Sequence, residues 1–245
     1  MKAMVLAAGL GTRLRPLTND RPKALVEVDG RTLLEITLSR LRAFGIHDVI
    51  VNVHHFADKV VDYLVVNKNF GMRIEISREE TLLDTGGALK KAAHFFAGAN
   101  QPFLLHNVDV LSTIDLAEML RFHNSRQALA TLAVQDRKTS RYLLFDDADQ
   151  LCGRRSGLDG TPEMFRPAPT SQALAFAGIH VISPDLLNML TEDGVFPIVP
   201  SYLRLAAQGQ KILGFRADDY YWLDLGKPQN VKKATEDLRR GVIVQ

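Results

Sequence analysis

Through the first half of the chain, short apolar runs alternate with stretches whose apolar residues recur every three or four positions. The run from Met4 to Ala8 predicts a buried strand, and it ends in the turn-forming Gly9-Leu10-Gly11-Thr12. Leu33, Leu34, Ile36, Leu38, Leu41 and Phe44 share one face of a predicted helix, which Gly45 closes. Val49 to Val53 predicts the next strand, Ala57 to Val66 the next helix, and Met72 to Ser77 a third strand. Gly86 to Phe96 predicts a helix with Lys90 and Lys91 on its exposed side. Phe103 to Leu105 opens a fourth strand that runs into Asn107-Val108-Asp109.

Strand–helix units of about 30 residues imply right-handed crossovers and a largely parallel sheet. Ligands of such sheets sit beyond the carboxyl ends of the strands. Gly9 to Arg13 and Asn107 to Asp109 both follow strands, so they belong at one mouth. The second half is less regular. Leu129 to Val134 and Tyr142 to Phe145 predict strands, with Asp146 to Asp149 as a hairpin turn. Gly153 to Thr170, rich in Gly, Pro and Arg, reads as a loop or flap. Ala173 to Ile182 predicts a strand, Pro184 to Leu190 a helix and Tyr220 to Leu225 a last strand. With no internal repeat and no separating linker, the expectation is one α/β domain over residues 1–245.

Charge and cysteine content exclude several functions. The net charge is +2 and no Lys/Arg block dominates, which argues against a nucleic-acid binder. Lys232, Lys233, Arg239 and Arg240 have helical spacing and read as a solvated face. Cys152 is the only cysteine, so neither an intrachain disulfide nor a thiolate zinc cluster is possible. No run approaches the roughly 20 apolar residues of a membrane span, and Ala3 to Ala8 is too short for a secretory segment. The expectation is a cytoplasmic protein without nucleic-acid or membrane partners.

The candidate chemistry begins at Leu6-Ala7-Ala8-Gly9-Leu10-Gly11-Thr12-Arg13-Leu14 and continues to Pro22-Lys23. A strand running into a Gly-rich turn aims backbone N–H groups at anionic oxygens. Arg13 can fork two phosphate oxygens, and Lys23 adds a point charge. A dinucleotide fingerprint would need a third Gly where Leu14 stands, and the Gly-Lys-Ser/Thr of a Walker loop is absent. Taken alone, Asp109 reads as a cap or turn residue; beside Asn107 and beyond the same sheet edge as Gly9, it reads as a ligand. Asp224 reads either as a turn residue before Gly226 or as a second metal ligand. His54 and His55 follow a strand and read as structural or sugar-side residues. Tyr220, Tyr221 and Trp222 read as packing residues.

These residues resemble the signature of the sugar-phosphate nucleotidyltransferase family. Thr85-Gly86-Gly87-Ala88 looks like its nucleotide-side loop, and His106-Asn107-Val108-Asp109 like its metal strand end. Phe176-Ala177-Gly178-Ile179 resembles its sugar-side strand, and Trp222-Leu223-Asp224-Leu225-Gly226 its second metal motif. The resemblance implies a Rossmann-like three-layer α/β/α fold with a mostly parallel mixed central sheet, the nucleotide-diphospho-sugar transferase fold. It implies a nucleotide-binding half over about residues 1–110 and a sugar-binding half over 111–245. Arg13 and Lys23 would bind the triphosphate, and Asp109 and Asp224 would hold Mg²⁺. Ala7, Ala8, Gly9, Gly11, Thr12, Gly86, Gly87 and Asn107 would line the nucleotide. Gly178 would line the sugar.

Such chemistry brings two polyanions together, so it needs positive charge and a hard cation held by carboxylates. The sugar phosphate is already ionised, and no general base is required. The chain departs from the family pattern in three places. Val108 stands where Gly is usual, and would be strained if the backbone there needs a positive φ. Lys227 follows Gly226 where Thr is usual. Gly153-Arg154-Arg155 stands near the point where many relatives carry Glu-Lys-Pro with its Lys on the sugar phosphate, so Arg154 or Arg155 would supply that charge on the sugar side. The resemblance implies a nucleoside triphosphate and a sugar 1-phosphate as substrates. Within the family the layout looks most like N-acetylmuramate 1-phosphate uridylyltransferases, then mannose- and heptose-1-phosphate guanylyltransferases. A phosphocholine cytidylyltransferase and a non-catalytic sugar-nucleotide sensor are the rival expectations.

Overall fold

Buried β-branched strands and capped helices define the chain in a computed structural model, which describes residues 1–242; the last three residues of the expected domain lie outside the described residues. The chain opens with β1 (Lys2–Leu6), the short hairpin β2 (Glu27–Val28) and β3 (Arg31–Thr32), and α1 (Leu33–Ala43). It continues through β4 (Asp48–Val53), α2 (Ala57–Val66) and β5 (Arg73–Arg78). Next come α3 (Asp84–Lys91), α4 (Ala93–Phe96), β6 (Phe103–Asn107), β7 (Val110–Ser112) and α5 (Leu116–Arg126). β8 (Ala130–Gln135), β9 (Arg141–Phe145), β10 (Leu151–Ser156), β11 (Glu163–Met164) and β12 (Gln172–Ile182) follow. α6 (Asp185–Asn188), α7 (Ile198–Ala207), β13 (Ile212–Arg216), β14 (Trp222–Asp224) and α8 (Pro228–Arg239) complete it.

The chain forms two compact units, Met1–Leu83 with Leu105–Ile114 and Tyr220–Gln245, and Asp84–Leu104 with Asp115–Asp219. In the first, β6, β1, β4 and β5 lie side by side in that order. β1 and β5 both run parallel to β4, with Met4 opposite Ile50 and Val49 opposite Ile74. Ala3, Met4, Val5, Val49, Ile50 and Val51 are fully buried, as continuous apolar runs in parallel strands require. Helix α1 starts where the Thr32 hydroxyl accepts from the Glu35 N–H at 3.1 Å. Gly45 closes it: its φ of 76° turns the chain so that the Ile46 N–H reaches the Leu41 carbonyl at 3.0 Å.

The second unit places β11, β10, β9 and β12 in order, with β8 between β12 and β13. β12 is antiparallel to both β8 and β9, and β13 is parallel to β8. At its centre the Tyr202 hydroxyl bonds His180 Nδ1 at 2.9 Å, both rings buried. The expected α/β class with a mixed central sheet is the one observed, its parallel ladders concentrated in the first unit.

Several local expectations are corrected. Gly153 to Thr170 does not form a loop throughout, since β10 and β11 pair antiparallel there. Gly153 admits the approach: a Cβ on it would stand 2.6 Å from the Glu163 carbonyl oxygen. The expected helix from Gly86 to Phe96 begins at Asp84 and breaks at Ala92, and that from Pro184 to Leu190 is one turn. Among the described residues no helix is long and apolar enough to cross a membrane.

Candidate active site

Two loops leave neighbouring strands at the carboxyl edge of the first unit, as the sequence predicts. The Val108 N–H donates to the Leu6 carbonyl at 3.1 Å, which joins the end of β6 to the end of β1. Val108 is buried and is not among the described residues with positive φ, so the departure from Gly carries no backbone strain. Beyond β1, Ala7 and Ala8 are buried while Gly9, Thr12 and Arg13 are exposed. Gly11 sits at φ 67°, and a Cβ there would stand 2.9 Å from the Thr18 methyl. Its carbonyl accepts from the Thr18 hydroxyl at 2.8 Å and from the Leu14 N–H at 2.9 Å, which closes the turn over Thr12–Leu14.

Lys23 begins a helical turn after Pro22, and its ammonium bonds the Asp109 carboxylate. Asp224 is carried to the same edge by an antiparallel ladder in which it lies opposite Val110. The Leu225 N–H donates to the Asp109 carbonyl at 2.8 Å and continues that ladder to the loop. Asp224 Oδ1 accepts from the Gly226 N–H at 2.7 Å, and its carbonyl accepts from Asn230 at 2.6 Å. Arg13 lies against Gly226: a Cβ there would stand 2.8 Å from an Arg13 guanidinium nitrogen and 2.8 Å from Asp224 Oδ1. The structure thus brings Arg13, Lys23, Asp109 and Asp224 to one edge with the Gly-rich turn. Asn107 ends β6, and its carbonyl faces His106 Nδ1 at 2.8 Å. Burial and the nearby Arg40 push the His106 imidazole down to about 4, so it is neutral at pH 7.

Two residues of this edge escape sequence reading. Asn52 Oδ1 accepts from the Ala7 N–H at 2.7 Å, and Asn52 Nδ2 donates to Glu79 Oε1 at 2.7 Å. The available signal was an Asn inside the apolar run Val49 to Val53, where an amide must find partners. His54, expected to be structural or sugar-side, holds the Glu79 carbonyl at 2.8 Å through Nδ1, and the His55 ring packs on Phe56. The Tyr221 hydroxyl donates to Asp237 at 2.7 Å.

The remaining candidates belong to the second unit. The Gly86 and Gly87 N–H groups donate to the Phe196 carbonyl at 2.9 and 3.1 Å, and the Thr85 hydroxyl accepts from the Ile198 N–H at 2.9 Å. A Cβ on Gly86 would overlap the Phe196 ring. Buried Gly178 takes φ 76° where the register of β12 against β8 shifts. Arg154 pairs with Glu163 at 2.6 Å and covers the Phe165 ring, while Arg155 covers Tyr142.

The chain is similar to known proteins. The family model described as nucleotidyl transferase matches residues 2–241. An N-acetylmuramate alpha-1-phosphate uridylyltransferase of Caulobacter vibrioides is 36% identical, over 93% of this chain and 92% of that one. A mannose-1-phosphate guanylyltransferase of Mycobacterium tuberculosis is 32% identical over 98% of this chain, which spans 65% of that relative. Among solved structures, an apo UDP-glucose pyrophosphorylase superposes with a TM-score of 0.79 at 16% identity, covering 99% of each chain. HddC from Yersinia pseudotuberculosis, complexed with GMP-PN, superposes with a TM-score of 0.74 at 21% identity, covering 97% of this chain and 99% of that one. At those identities the structures speak for the fold. The chain belongs to the nucleotidyl transferase family and is a sugar-1-phosphate nucleotidyltransferase.

Proposed function

We propose that the chain transfers a uridylyl group from UTP to N-acetylmuramate 1-phosphate, or to a related N-acetylhexosamine 1-phosphate, and releases pyrophosphate. The observation that carries the assignment of roles is the edge where Lys23 pairs with Asp109 and where the Arg13 guanidinium and the Asp224 carboxylate each lie against Gly226. In this reading a sugar-phosphate oxygen attacks the α-phosphorus and forms the new P–O bond. The bond from the α-phosphorus to the α–β bridging oxygen breaks, and pyrophosphate leaves with that electron pair.

Arg13 grips the triphosphate oxygens in a fork, and Lys23 exchanges Asp109 for phosphate as the nucleotide arrives. The N–H groups of the Gly9 to Thr12 turn point to the same anion. Asp109 and Asp224 suit a divalent cation. Both offer hard carboxylate oxygens, and Asp224 commits only Oδ1 to the Gly226 N–H. Two carboxylates suffice for Mg²⁺, an ion that keeps waters and substrate phosphates in its shell. When bound, the ion neutralises charge between the sugar phosphate and the α-phosphate. Catalysis by the protein is then positioning and charge neutralisation.

The base and sugar follow the uridylyltransferase relative. A carboxylate-bearing N-acetyl sugar calls for positive charge in a sugar pocket near Gly178. Arg155 suits that task better than Arg154, which is engaged by Glu163. N-acetylmuramate would tie the reaction to cell-wall recycling, and its nucleotide to the cytoplasm. The guanylyltransferase relative favours a second reading, GTP with mannose 1-phosphate. Pyrophosphate release from a matrix of UTP, GTP, CTP and dTTP against N-acetylmuramate, N-acetylglucosamine, mannose and heptose 1-phosphates tests both. A preference above about tenfold, or ~1.4 kcal/mol, for GTP with mannose or heptose 1-phosphate overturns the first.

A further inference from the structure

Asn52 is the penultimate residue of β4, opposite Leu6 of β1 on one side and Ser77 of β5 on the other. Its buried amide reaches past both strands. Oδ1 accepts from the Ala7 N–H, the first residue beyond β1, at 2.7 Å, and Nδ2 donates to Glu79 Oε1, the first residue beyond β5, at 2.7 Å. The second Glu79 oxygen accepts from the Leu83 N–H at 2.9 Å. The Glu79 backbone is held as well, its N–H by the Val53 carbonyl at 2.8 Å and its carbonyl by His54. Asn52 and Glu79 are 3% and 5% exposed, so the bonds operate out of water, where a mismatched donor or acceptor is costly.

We propose that Asn52 and Glu79 form a positioning relay, Ala7 N–H to Asn52 to Glu79 to Leu83 N–H, that fixes the backbone at Ala7 for nucleotide binding. The inference rests on the reading that places Ala7 to Gly9 against the nucleotide. The relay has a fixed polarity: Asn52 must present its oxygen to Ala7 and its amide hydrogens to Glu79, and both Glu79 oxygens must accept. Among the described residues the side chains of the relay bond to Ala7, to Leu83 and to each other, and neither bonds to the Lys23–Asp109 pair or to Arg13, so the relay acts through backbone placement and not on the reacting phosphorus.

That polarity makes a reversal test possible. Asn52→Asp sets an acceptor against the Glu79 carboxylate. Glu79→Gln sets an amide donor against either Asn52 Nδ2 or the Leu83 N–H. The double variant restores all three bonds with the carboxylate moved by one link: Asp accepts from Ala7 and from the Gln amide, whose oxygen accepts from Leu83. The experiment measures KM for the triphosphate (UTP or GTP, whichever the wild type turns over faster), KM for its sugar 1-phosphate, kcat and Tm for the wild type, both single variants and the double.

Each single variant is expected to raise the triphosphate KM at least tenfold while kcat at saturation and the sugar-phosphate KM stay within about threefold, and the double is expected to return the triphosphate KM to within about threefold of wild type. Single variants whose triphosphate KM stays within twofold overturn the relay, as does a double variant with the summed defect of the singles. If a single variant does not fold, the double decides alone, and a double that fails to fold or keeps a tenfold defect overturns the relay. A wild type that turns over no triphosphate with any sugar 1-phosphate overturns the underlying reading instead, so the two failures are distinct.

Discussion

Lys23 and Asp109, 86 residues apart in sequence, form an ion pair at the edge of the first unit with side chains only 13% and 14% exposed. A pair this sheltered is screened far less than a surface bridge. Removing one member leaves the other charge without its partner in a site of restricted water.

Asp109→Asn therefore separates charge from shape. The side chain keeps its size at the strand end, outside the apolar core, so Tm is expected to move by only a few degrees. The rate of pyrophosphate release is expected to fall about 10³-fold or more, several kcal/mol of transition-state stabilisation. Asp224→Asn should behave alike. Titrating Mg²⁺ during turnover checks both, and a variant keeping more than about a tenth of the wild-type rate at saturating Mg²⁺ contradicts the metal assignment.

The two glycines of the turn are predicted to part company. A Cβ on Gly9 would meet nothing within 4 Å, whereas one on Gly11 would press on Thr18 at a φ of 67°. Gly11→Ala forces an L side chain into the left-handed region, at a cost of about 1–2 kcal/mol before the clash. A Tm drop of several degrees is expected in a chain of this size, about 2–4 °C per kcal/mol. Gly9→Ala should hold the wild-type Tm within about a degree, because nothing in the fold occupies that space, yet raise the triphosphate KM about tenfold or more. Thermal melts and steady-state kinetics on the two variants check this, and a Gly9→Ala enzyme with unchanged KM would remove Gly9 from the nucleotide site.

Much of this was legible in the sequence, for physical reasons that differ by element. The helix Ala57–Val66 follows directly from its apolar period, and β4 differs from expectation by one residue because buried parallel strands are continuous apolar runs. The hairpin turn was legible in Asp146, whose Oδ1 accepts from the N–H groups of Ala148 and Gln150 at 2.9 Å each. The strand β10 was not, because Arg154 and Arg155 lay their guanidinium groups over the Phe165 and Tyr142 rings, and composition alone cannot distinguish that from a solvated loop. β13 was missed because Gly214 interrupts its run; a Cβ there would stand 3.0 Å from the Phe145 ring. At the site, the charged residues were legible as types with defined chemistry. The Asn52–Glu79 bonds were not, because they join β4 to the loops that follow β1 and β5, and no local pattern encodes them.

In the second unit, His123 gives the stability a predictable pH dependence. Ser183 donates its hydroxyl to the Ala128 carbonyl at 2.8 Å, so His123 Nε2–H must donate to Ser183, 3.0 Å away, and Nδ1 accepts from Thr131 at 2.9 Å. The buried ring is satisfied as neutral imidazole, and burial lowers its pKa to about 4 from the ordinary 6.5. Below pH 6.5 the unfolded chain binds a proton that the folded chain does not. This contribution to stability is therefore full above 6.5 and is lost as pH falls from 6.5 to about 4, with a slope of up to about 1.4 kcal/mol per pH unit. His123→Gln removes that proton from the balance. Denaturant unfolding at pH 7, 5.5 and 4.5 should show a shallower decline in the variant than in the wild type, and equal slopes would mean that His123 is charged in the fold.

The last prediction concerns Gly226, whose neighbours decide what a methyl group would do. Its φ lies outside the left-handed region, so Ala brings no backbone strain. The new Cβ would stand 2.8 Å from an Arg13 guanidinium nitrogen and 2.8 Å from Asp224 Oδ1, and one of the two must move. Arg13 is exposed and flexible, whereas Asp224 is held by the Gly226 N–H and by Asn230, so Arg13 is the group that gives way. Gly226→Ala should therefore resemble a partial loss of Arg13, with pyrophosphate release reduced about 10²-fold and Tm within a few degrees of wild type. Arg13→Ala should lose at least as much. Arg13→Lys should not recover it, because an ammonium cannot reproduce the planar two-pronged contact with phosphate oxygens. The decisive measurement is the double variant Gly226→Ala with Arg13→Ala. If both substitutions act through the guanidinium, the double is no slower than Arg13→Ala alone, and a multiplicative loss would assign the Gly226 defect to Asp224.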